Sequence, residues 1–269
     1  VLALLSVFLP VNDLNITGMT MSVYNLISQY ILIIGSIVAL VFLAVAGNEK
    51  RAAAGLTRQN WKSAVLIVLA FVGIYIVRTV VSVAVQGVSD GSGMQYVKEW
   101  AAMFKNPMMW LNIAALPINY FFVFIAFFGE EYGWRYYLQP VLQKRFGLRA
   151  GVIILGVVWG LWHIPDDLFY YTQTSGIQMI FAQQITCISL GIFFAYAYMK
   201  TQNIWVPVCL HYLNNNLIPI ISGTFSADVL ENQTVSWKDL PVALVLNGLC
   251  FGFFLLADVF KKKEVQEEE

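Results

Sequence analysis

Two adjacent carboxylates and an arginine interrupt one of the most apolar stretches of this chain. Glu130, Glu131 and Arg135 lie in the segment GEEYGWRYYLQ (129–139), which directly follows the apolar run PINYFFVFIAFF (117–128). A charged side chain at the centre of a bilayer costs about 2.5 to 3.5 kcal/mol on translocon-type scales. Charges at such a depth need partners or a function, so we expect this segment to carry the site of the protein.

The composition predicts an all-α, polytopic transmembrane helix bundle. The 269 residues are 59% hydrophobic and only 12% charged, and their mean hydropathy is +0.68. Such a chain is too apolar for a soluble domain. The net charge is zero, so a nucleic-acid partner is not indicated. Without repeats or a soluble segment, we interpret residues 1–269 as one membrane domain whose lipid-facing surface contacts membrane lipids.

Apolar windows predict seven full spans after a partial or truncated one at the N-terminus. The first apolar stretch, VLALLSVFLPV, is too short to cross a hydrocarbon core of about 30 Å as a helix. The alternative, a signal-peptide core, lacks a basic leader and a small-residue cleavage site. The full spans are predicted near positions 23–46, 63–86, 116–139, 150–165, 177–199, 203–220 and 240–260.

Lys and Arg residues concentrate in alternate loops, which predicts the orientation of the chain. The loops before the second and fourth full spans, Lys200 and the tail KKKEVQEEE are basic, whereas the intervening loops carry only Lys98, Lys105 and Lys238. The positive-inside rule therefore places the C-terminus in the cytosol. Arg78 lies inside a span, where it could snorkel outward or pair with an intramembrane carboxylate.

Both histidines of the chain lie in apolar segments. His163 is in VVWGLWHIP and His211 is in VPVCLHYLNNN. Residues four apart share one face of a helix, which pairs Trp159 with His163 and His211 with Asn215. A single buried histidine is more often a hydrogen-bonded core residue, but two such histidines beside a buried Glu pair favour a site.

The depth of these groups is compatible with one site. If the third full span extends to Gln139, just before the helix-breaking Pro140, Glu130 lies about 14 Å from its cytosolic end. His163 and His211 lie about 20 and 12 Å from the starts of their own spans. All three side chains can then meet near the middle of the bilayer.

Three motifs in this order resemble those of a known family. The segment EEYGWR (130–135) matches EExxxR, Trp159 to His163 resembles FxxxH with Trp in place of Phe, and His211 to Asn215 matches HxxxN. The chain resembles the CPBP intramembrane proteases, which include CAAX prenyl endopeptidases and bacteriocin-processing or immunity proteins. The motif-bearing catalytic core covers positions 116–220.

The resemblance implies a role for each motif residue. In the glutamate-protease interpretation, Glu130 and His163 activate a water, while His211 and Asn215 stabilise the oxyanion. Glu131 and Arg135, one turn apart, are expected to form a supporting ion pair. The resemblance also implies a peptide or prenylated-protein substrate, without fixing its identity or the oligomeric state.

A metal-dependent alternative uses the same residues. Glu130, His163 and His211 would supply the carboxylate and two imidazoles that suit catalytic zinc. The chain has no HExxH motif, and we favour a site without a cofactor over the zinc site.

Other catalytic chemistries have weaker support in the sequence. GVSDG (87–91) matches GxSxG but lacks the strand–turn–helix context. Cys187, Cys209 and Cys250 are interpreted as small core residues, and Asp166 and Asp167, after the helix-ending Pro165, as solvated. A second class of function remains open, in which the polar cluster serves a non-catalytic multispan scaffold or immunity protein. A transporter would more often show Gly- or Pro-broken helices in two corresponding halves, and the sequence does not show this pattern.

Overall fold

The structure is a computed structural model. The residues that it describes are 14–16, 19–21, 23–47, 49, 55–56, 59–224, 229 and 232–261. A short antiparallel hairpin of β1 (Leu14–Ile16) and β2 (Met19–Met21) precedes the helices. The remaining elements are helical, which confirms the all-α bundle. In chain order the α-helices are α1 (Val23–Val45), α2 (Trp61–Ser89), α3 (Gln95–Met103), α4 (Pro107–Glu131), α5 (Gln139–Phe146), α6 (Leu148–Trp162), α7 (Ile164–Phe169), α8 (Gly176–Thr201), α9 (Trp205–Ser222) and α10 (Asp239–Cys250).

Within the part of the chain that the structure describes, four helical stretches are long and apolar enough to cross a membrane. They are Trp61–Ser89, Pro107–Phe146, Leu148–Phe169 and Gly176–Thr201, and the shorter apolar helices are Ile33–Val45 and Asp239–Cys250. These stretches define an integral membrane protein, whereas the count of seven full spans is not confirmed. The partial span predicted at the N-terminus lies outside the described residues.

The helix that carries the charged segment is longer than predicted. Instead of ending before Pro140, it continues from α4 through a π-helix (Tyr132–Leu138) into α5. In a regular α-helix the proline ring would clash with the carbonyl of Tyr136, four residues back. Local π-helical widening accommodates such a proline in membrane helices. The hydrogen-bonding pattern therefore changes locally, and the helix continues.

Two other boundaries also differ from the prediction. The interval between the spans predicted at 63–86 and 116–139 contains the nine-residue helix α3. The span predicted at 240–260 is a 12-residue α-helix followed by two short 3₁₀ segments, Gly252–Leu256 and Asp258–Phe260. Hydropathy alone does not separate α-helix from 3₁₀-helix, because both bury an apolar run.

Close contact between α6 and α8 forms the centre of the bundle. A Cβ added to Gly156 would lie 2.6 Å from the Cα of Ile188, and one added to Gly191 would lie 3.4 Å from the Cα of Gly156. Small residues allow membrane helices to approach this closely. Beside this crossing, Phe71 stacks on Phe193 with ring centroids 5.6 Å apart, in the main apolar core.

Arg78 has a hydrogen-bond partner inside the bundle, and the cysteines are wholly or partly buried. Arg78 Nε donates to Asn247 Oδ1 at 2.7 Å, so its partner is an amide and neither the membrane surface nor a carboxylate. Cys187 is buried, Cys209 and Cys250 are half-buried, and all three thiols are free. Cys187 belongs to the main apolar core and Cys250 packs against it, as predicted, whereas Cys209 is not part of that core.

Candidate active site

The centre of the site is a buried chain of charged groups. Arg135 Nε donates to Glu131 Oε2 at 2.9 Å, and His211 Nδ1 lies 2.9 Å from the other oxygen, Glu131 Oε1. Both Glu131 and Arg135 are 0% exposed and His211 is 3% exposed. The predicted i,i+4 ion pair is thus present, and it also holds a histidine of another helix.

Aromatic rings surround the guanidinium of Arg135. Its Cζ lies 5.1 Å from the ring centroid of Trp159 and 5.4 Å from that of Phe194. Arg135 Nη1 and Nη2 have no hydrogen-bond partner among the described residues. Attraction to the faces of the rings offsets part of that cost, so Trp159, at the aromatic position of the second motif, helps to hold the cation.

The carboxylate fixes the proton arrangement of His211. An ionised carboxylate only accepts hydrogen bonds, so Nδ1 of His211 must carry a proton. The same reasoning applies to His163, whose Nδ1 lies 2.9 Å from the carbonyl oxygen of Trp159. In both rings Nε2 is the nitrogen left for chemistry.

Both histidines and Asn215 line one cavity of about 350 Å³. His163 is at the junction between α6 and α7, while His211 and Asn215 lie one turn apart on α9. Asn215 is exposed, whereas Asn214 and Asn216 on either side of it are half-buried. The second and third motifs therefore meet in space, 48 residues apart between the two histidines.

Glu130 lines a second cavity, of about 520 Å³, beside α1. The close contact of Ser36 with Gly129 brings α1 against this part of α4. The wall is largely apolar and includes Phe128, Tyr132 and Trp134. Glu130 directly precedes Glu131, whose carboxylate contacts His211, but it does not line the cavity of the two histidines and Asn215. The single meeting point predicted for Glu130, His163 and His211 is therefore not seen.

Sequence reasoning missed several residues of the histidine cavity. Gln183 and Cys187 of α8 line it, with Gln183 Nε2 3.7 Å from Cys187 Sγ. Asn214 lines it beside Asn215. The signal was a pair of glutamines inside an apolar span, which indicates a polar face.

Asp167 is buried, so its prediction as a solvated residue is wrong. Pro165 does not end the helical path: it lies in the first turn of α7, which continues to Phe169. Asp167 is 0% exposed, and its carboxylate oxygens have no hydrogen-bond partner among the described residues. Asp166 is half-buried.

Ser89 is the last residue of α2, so GVSDG does not form a turn between a strand and a helix.

Fold and site together define a helical integral membrane protein with a buried carboxylate–guanidinium–imidazole network next to a polar cavity. Residues 112–217, which contain all three motifs, match the family described as Type II CAAX prenyl endopeptidase Rce1-like. The chain is also 27% identical over 125 residues to the CAAX prenyl protease 2 of Methanococcus maripaludis. This alignment covers 43% of the chain and 45% of the relative. No solved structure matches the chain. The part of the chain that carries the three motifs is therefore similar to CAAX prenyl endopeptidases.

Proposed function

We propose that this protein is an intramembrane endopeptidase that hydrolyses a peptide bond close to the membrane. The observation that carries the proposal is the fixed His211, held by Glu131 and Arg135 at the edge of a cavity shared with His163 and Asn215. A preorganised set of donors in a water-poor space stabilises developing charge far better than solvent does. A protein without catalytic activity has no need of such an arrangement.

In the proposed reaction, Glu130 and His163 activate a water. The Glu130 carboxylate takes a proton as the water oxygen bonds to the scissile carbonyl carbon, and Nε2 of His163 accepts a hydrogen bond that orients the water. The C–N bond then breaks as the leaving nitrogen takes the proton back from Glu130. No oxidant or reductant is needed, and the products are an acid and an amine.

His211 and Asn215 are proposed to stabilise the oxyanion. The Nδ2 amide group of Asn215 is a donor in every protonation state of the site. Since Nδ1–H of His211 is committed to Glu131, this ring donates from Nε2 only when both of its nitrogens carry protons. Glu131 balances that charge, which gives the supporting pair a direct part in the proposed chemistry.

The metal-free mechanism remains our preference over zinc. Among the described residues, no group of three or more His, Cys, Asp or Glu side chains is placed to hold a metal ion. The donor set expected for zinc is therefore not assembled. We therefore derive no step through a metal.

The proposed substrate is a prenylated or otherwise lipid-anchored peptide. The family description and the name of the archaeal relative both refer to prenyl substrates. The largely apolar cavity beside Glu130 supports the same class, because an apolar chain bound there would bring the attached peptide to the carboxylate. Its volume is within the range of ligand pockets.

The test is cleavage by the purified full chain in detergent or lipid nanodiscs. One peptide ends in an S-farnesyl Cys-aliphatic-aliphatic-X sequence, and its control is the same peptide with a free thiol. We expect cleavage after the modified cysteine and slower cleavage of the control. Equal rates would contradict the lipid-anchored substrate, and no cleavage of either peptide would favour the scaffold.

Metal analysis and assay after dialysis against a chelator test the preference against zinc: activity lost on chelation and restored by Zn²⁺ would overturn it.

A further inference from the structure

The three consecutive asparagines of α9 have different hydrogen-bond partners. Asn216 binds across to α4, where Asn119 Nδ2 donates to its Oδ1 at 3.3 Å. Asn214 instead receives the hydroxyl proton of Tyr75, with 2.5 Å between Tyr75 Oη and Asn214 Oδ1. Asn214 Nδ2 in turn donates to Asn215 Oδ1 at 2.9 Å. A chain of hydrogen bonds therefore runs from α2 to the candidate oxyanion donor.

This chain has a direction, and the direction is set by Tyr75. A hydroxyl group has one proton to donate, and leaving a buried donor unsatisfied is costly. Donation by Tyr75 makes Oδ1 of Asn214 the acceptor, which turns Nδ2 of Asn214 toward Asn215. Asn215 can then offer only its carbonyl oxygen to Asn214, and its own Nδ2 is left for the cavity.

The opposite arrangement would impair an oxyanion site. If Asn214 presented its oxygen to Asn215, Nδ2 of Asn215 would turn inward and Oδ1 would face the cavity. An amide oxygen repels a developing negative charge, whereas an N–H group stabilises it. The orientation of the Asn214 amide thus decides whether Asn215 stabilises or destabilises the oxyanion.

Tyr75 is well placed to act as the fixed end of this chain. It is 5% exposed, and its ring centroid lies 5.0 Å from those of both Phe71 and Phe251. Arg78, which is held by Asn247, lies with its Cζ 5.8 Å from the same ring. Packing from α2 and from the residues after α10 therefore fixes the position of the hydroxyl oxygen, whose proton points to Asn214 Oδ1.

We propose that Tyr75 is a positioning residue, whose hydroxyl acts through Asn214 to turn Nδ2 of Asn215 toward the cavity. The proposal rests on the proposed function, because it assigns a second set of residues to the same oxyanion site. It adds an element, α2, that carries none of the three motifs.

The test is a double-mutant cycle of Tyr75→Phe and Asn215→Ala in the full-length protein, read out as kcat and KM for the farnesylated peptide. Tyr75→Phe keeps the ring and removes the donor, so we expect kcat to fall by about threefold to tenfold, the scale of one hydrogen bond, with little change in KM. Asn215→Ala alone should lower kcat by about a hundredfold or more. In the Asn215→Ala background, Tyr75→Phe should have no further effect on kcat, because the amide that it orients is gone.

Asn214→Asp provides a second arm. Its carboxylate accepts from Tyr75 but cannot donate to Asn215, so it should draw Nδ2 of Asn215 away from the cavity. We expect kcat to fall toward that of Asn215→Ala, again with no further loss in the double variant.

Tyr212→Phe is the matched control. It removes a buried hydroxyl that donates to the carbonyl of Leu116 at 2.7 Å, and it should lower thermal stability without this dependence on Asn215. An unchanged kcat for Tyr75→Phe, or the same fractional loss with and without Asn215, would overturn the proposal. Absence of cleavage by the wild-type protein would overturn the proposed function first, and this inference with it.

Discussion

Glu131 Oε1 lies 2.9 Å from Nδ1 of His211, a residue 80 positions further along the chain. The other oxygen of the same carboxylate binds Arg135 at 2.9 Å. One buried carboxylate therefore joins the first motif to the third and orients a ring of the site. Glu131 therefore has a structural role between two helices, whereas Glu130 lines a cavity.

Glu131→Gln is expected to lower both stability and activity. The amide cannot balance Arg135, and removing one partner of a buried pair typically costs about 3 to 5 kcal/mol. The amide has one acceptor oxygen where the carboxylate has two, so it cannot accept from both Arg135 Nε and His211 Nδ1. Peptide cleavage should therefore fall in the fraction that remains folded. Thermal unfolding in detergent and the peptide assay measure the two effects.

The matched control is Glu130→Gln, the same chemical change one residue earlier. It should leave the unfolding temperature close to that of the wild type. If Glu131→Gln were as stable as Glu130→Gln, the buried network would not contribute to folding as we infer.

Contacts within one helix could be predicted from the sequence, whereas contacts between helices could not. The spacing of Glu131 and Arg135 predicts their ion pair, because residues four apart in a helix are neighbours. The contact between Glu131 and His211 depends on how α4 and α9 rotate against each other, which the spacing of residues along either helix does not fix. The bond from Tyr75 to Asn214 was missed for the same reason.

The errors at Pro140 and Asp167 have a common cause. In each case a proline was expected to end a helix, and in each case the chain stayed helical. Pro140 follows a π-helix, and Pro165 lies in the first turn of α7, where its missing N–H leaves no bond unmade. Continued helix then carries Asp167 into the bundle, which its position after a proline did not indicate.

Gly156→Ala should destabilise the bundle. The new Cβ would lie 2.6 Å from the Cα of Ile188, which is backbone and cannot move aside as a flexible side chain could. The helices α6 and α8 must then separate, at a cost of about 1 to 3 kcal/mol for overpacking. The change should appear as a lower unfolding temperature.

Gly248→Ala is its control, since a Cβ at this position in α10 meets no atom within 4 Å among the described residues. Alanine also has the higher helix propensity, so this variant should be as stable as the wild type or slightly more so. Equal loss of stability in both glycine variants would show that helix crossing is not the cause.

Cys187→Ala and Ser89→Ala should each leave turnover largely intact. The sulfur of Cys187 lies 3.8 Å from Nδ1 of His163, but that nitrogen already carries a proton donated to the carbonyl of Trp159. It cannot also act as the base for the thiol. Ser89 ends α2 and has no assigned chemistry. Loss of cleavage by a folded Ser89→Ala protein would support a serine protease, and loss by Cys187→Ala would support a thiol nucleophile.

Glu130→Gln separates an enzyme from a scaffold. The amide keeps the shape of the side chain and most of its hydrogen-bonding capacity but cannot take a proton from water. The protein should therefore insert and fold normally while cleavage falls by about a hundredfold or more, the scale expected for loss of a general base. The measurement is the initial rate of cleavage of the farnesylated peptide by purified variants, with thermal unfolding recorded in parallel.

The outcome of this substitution depends on a difference between two neighbouring carboxylates. Glu130 is half-buried at a cavity, whereas Glu131 is fully buried in its network. Of the two, Glu130 has access to water and forms no ion pair with any residue that the structure describes. Cleavage at the wild-type rate by Glu130→Gln would refute its assignment as the base. If instead the wild-type protein cleaved nothing, and Glu130→Gln retained whatever cellular phenotype the wild-type protein confers, the polar cluster would serve assembly or ligand contact and the scaffold hypothesis would replace the enzyme.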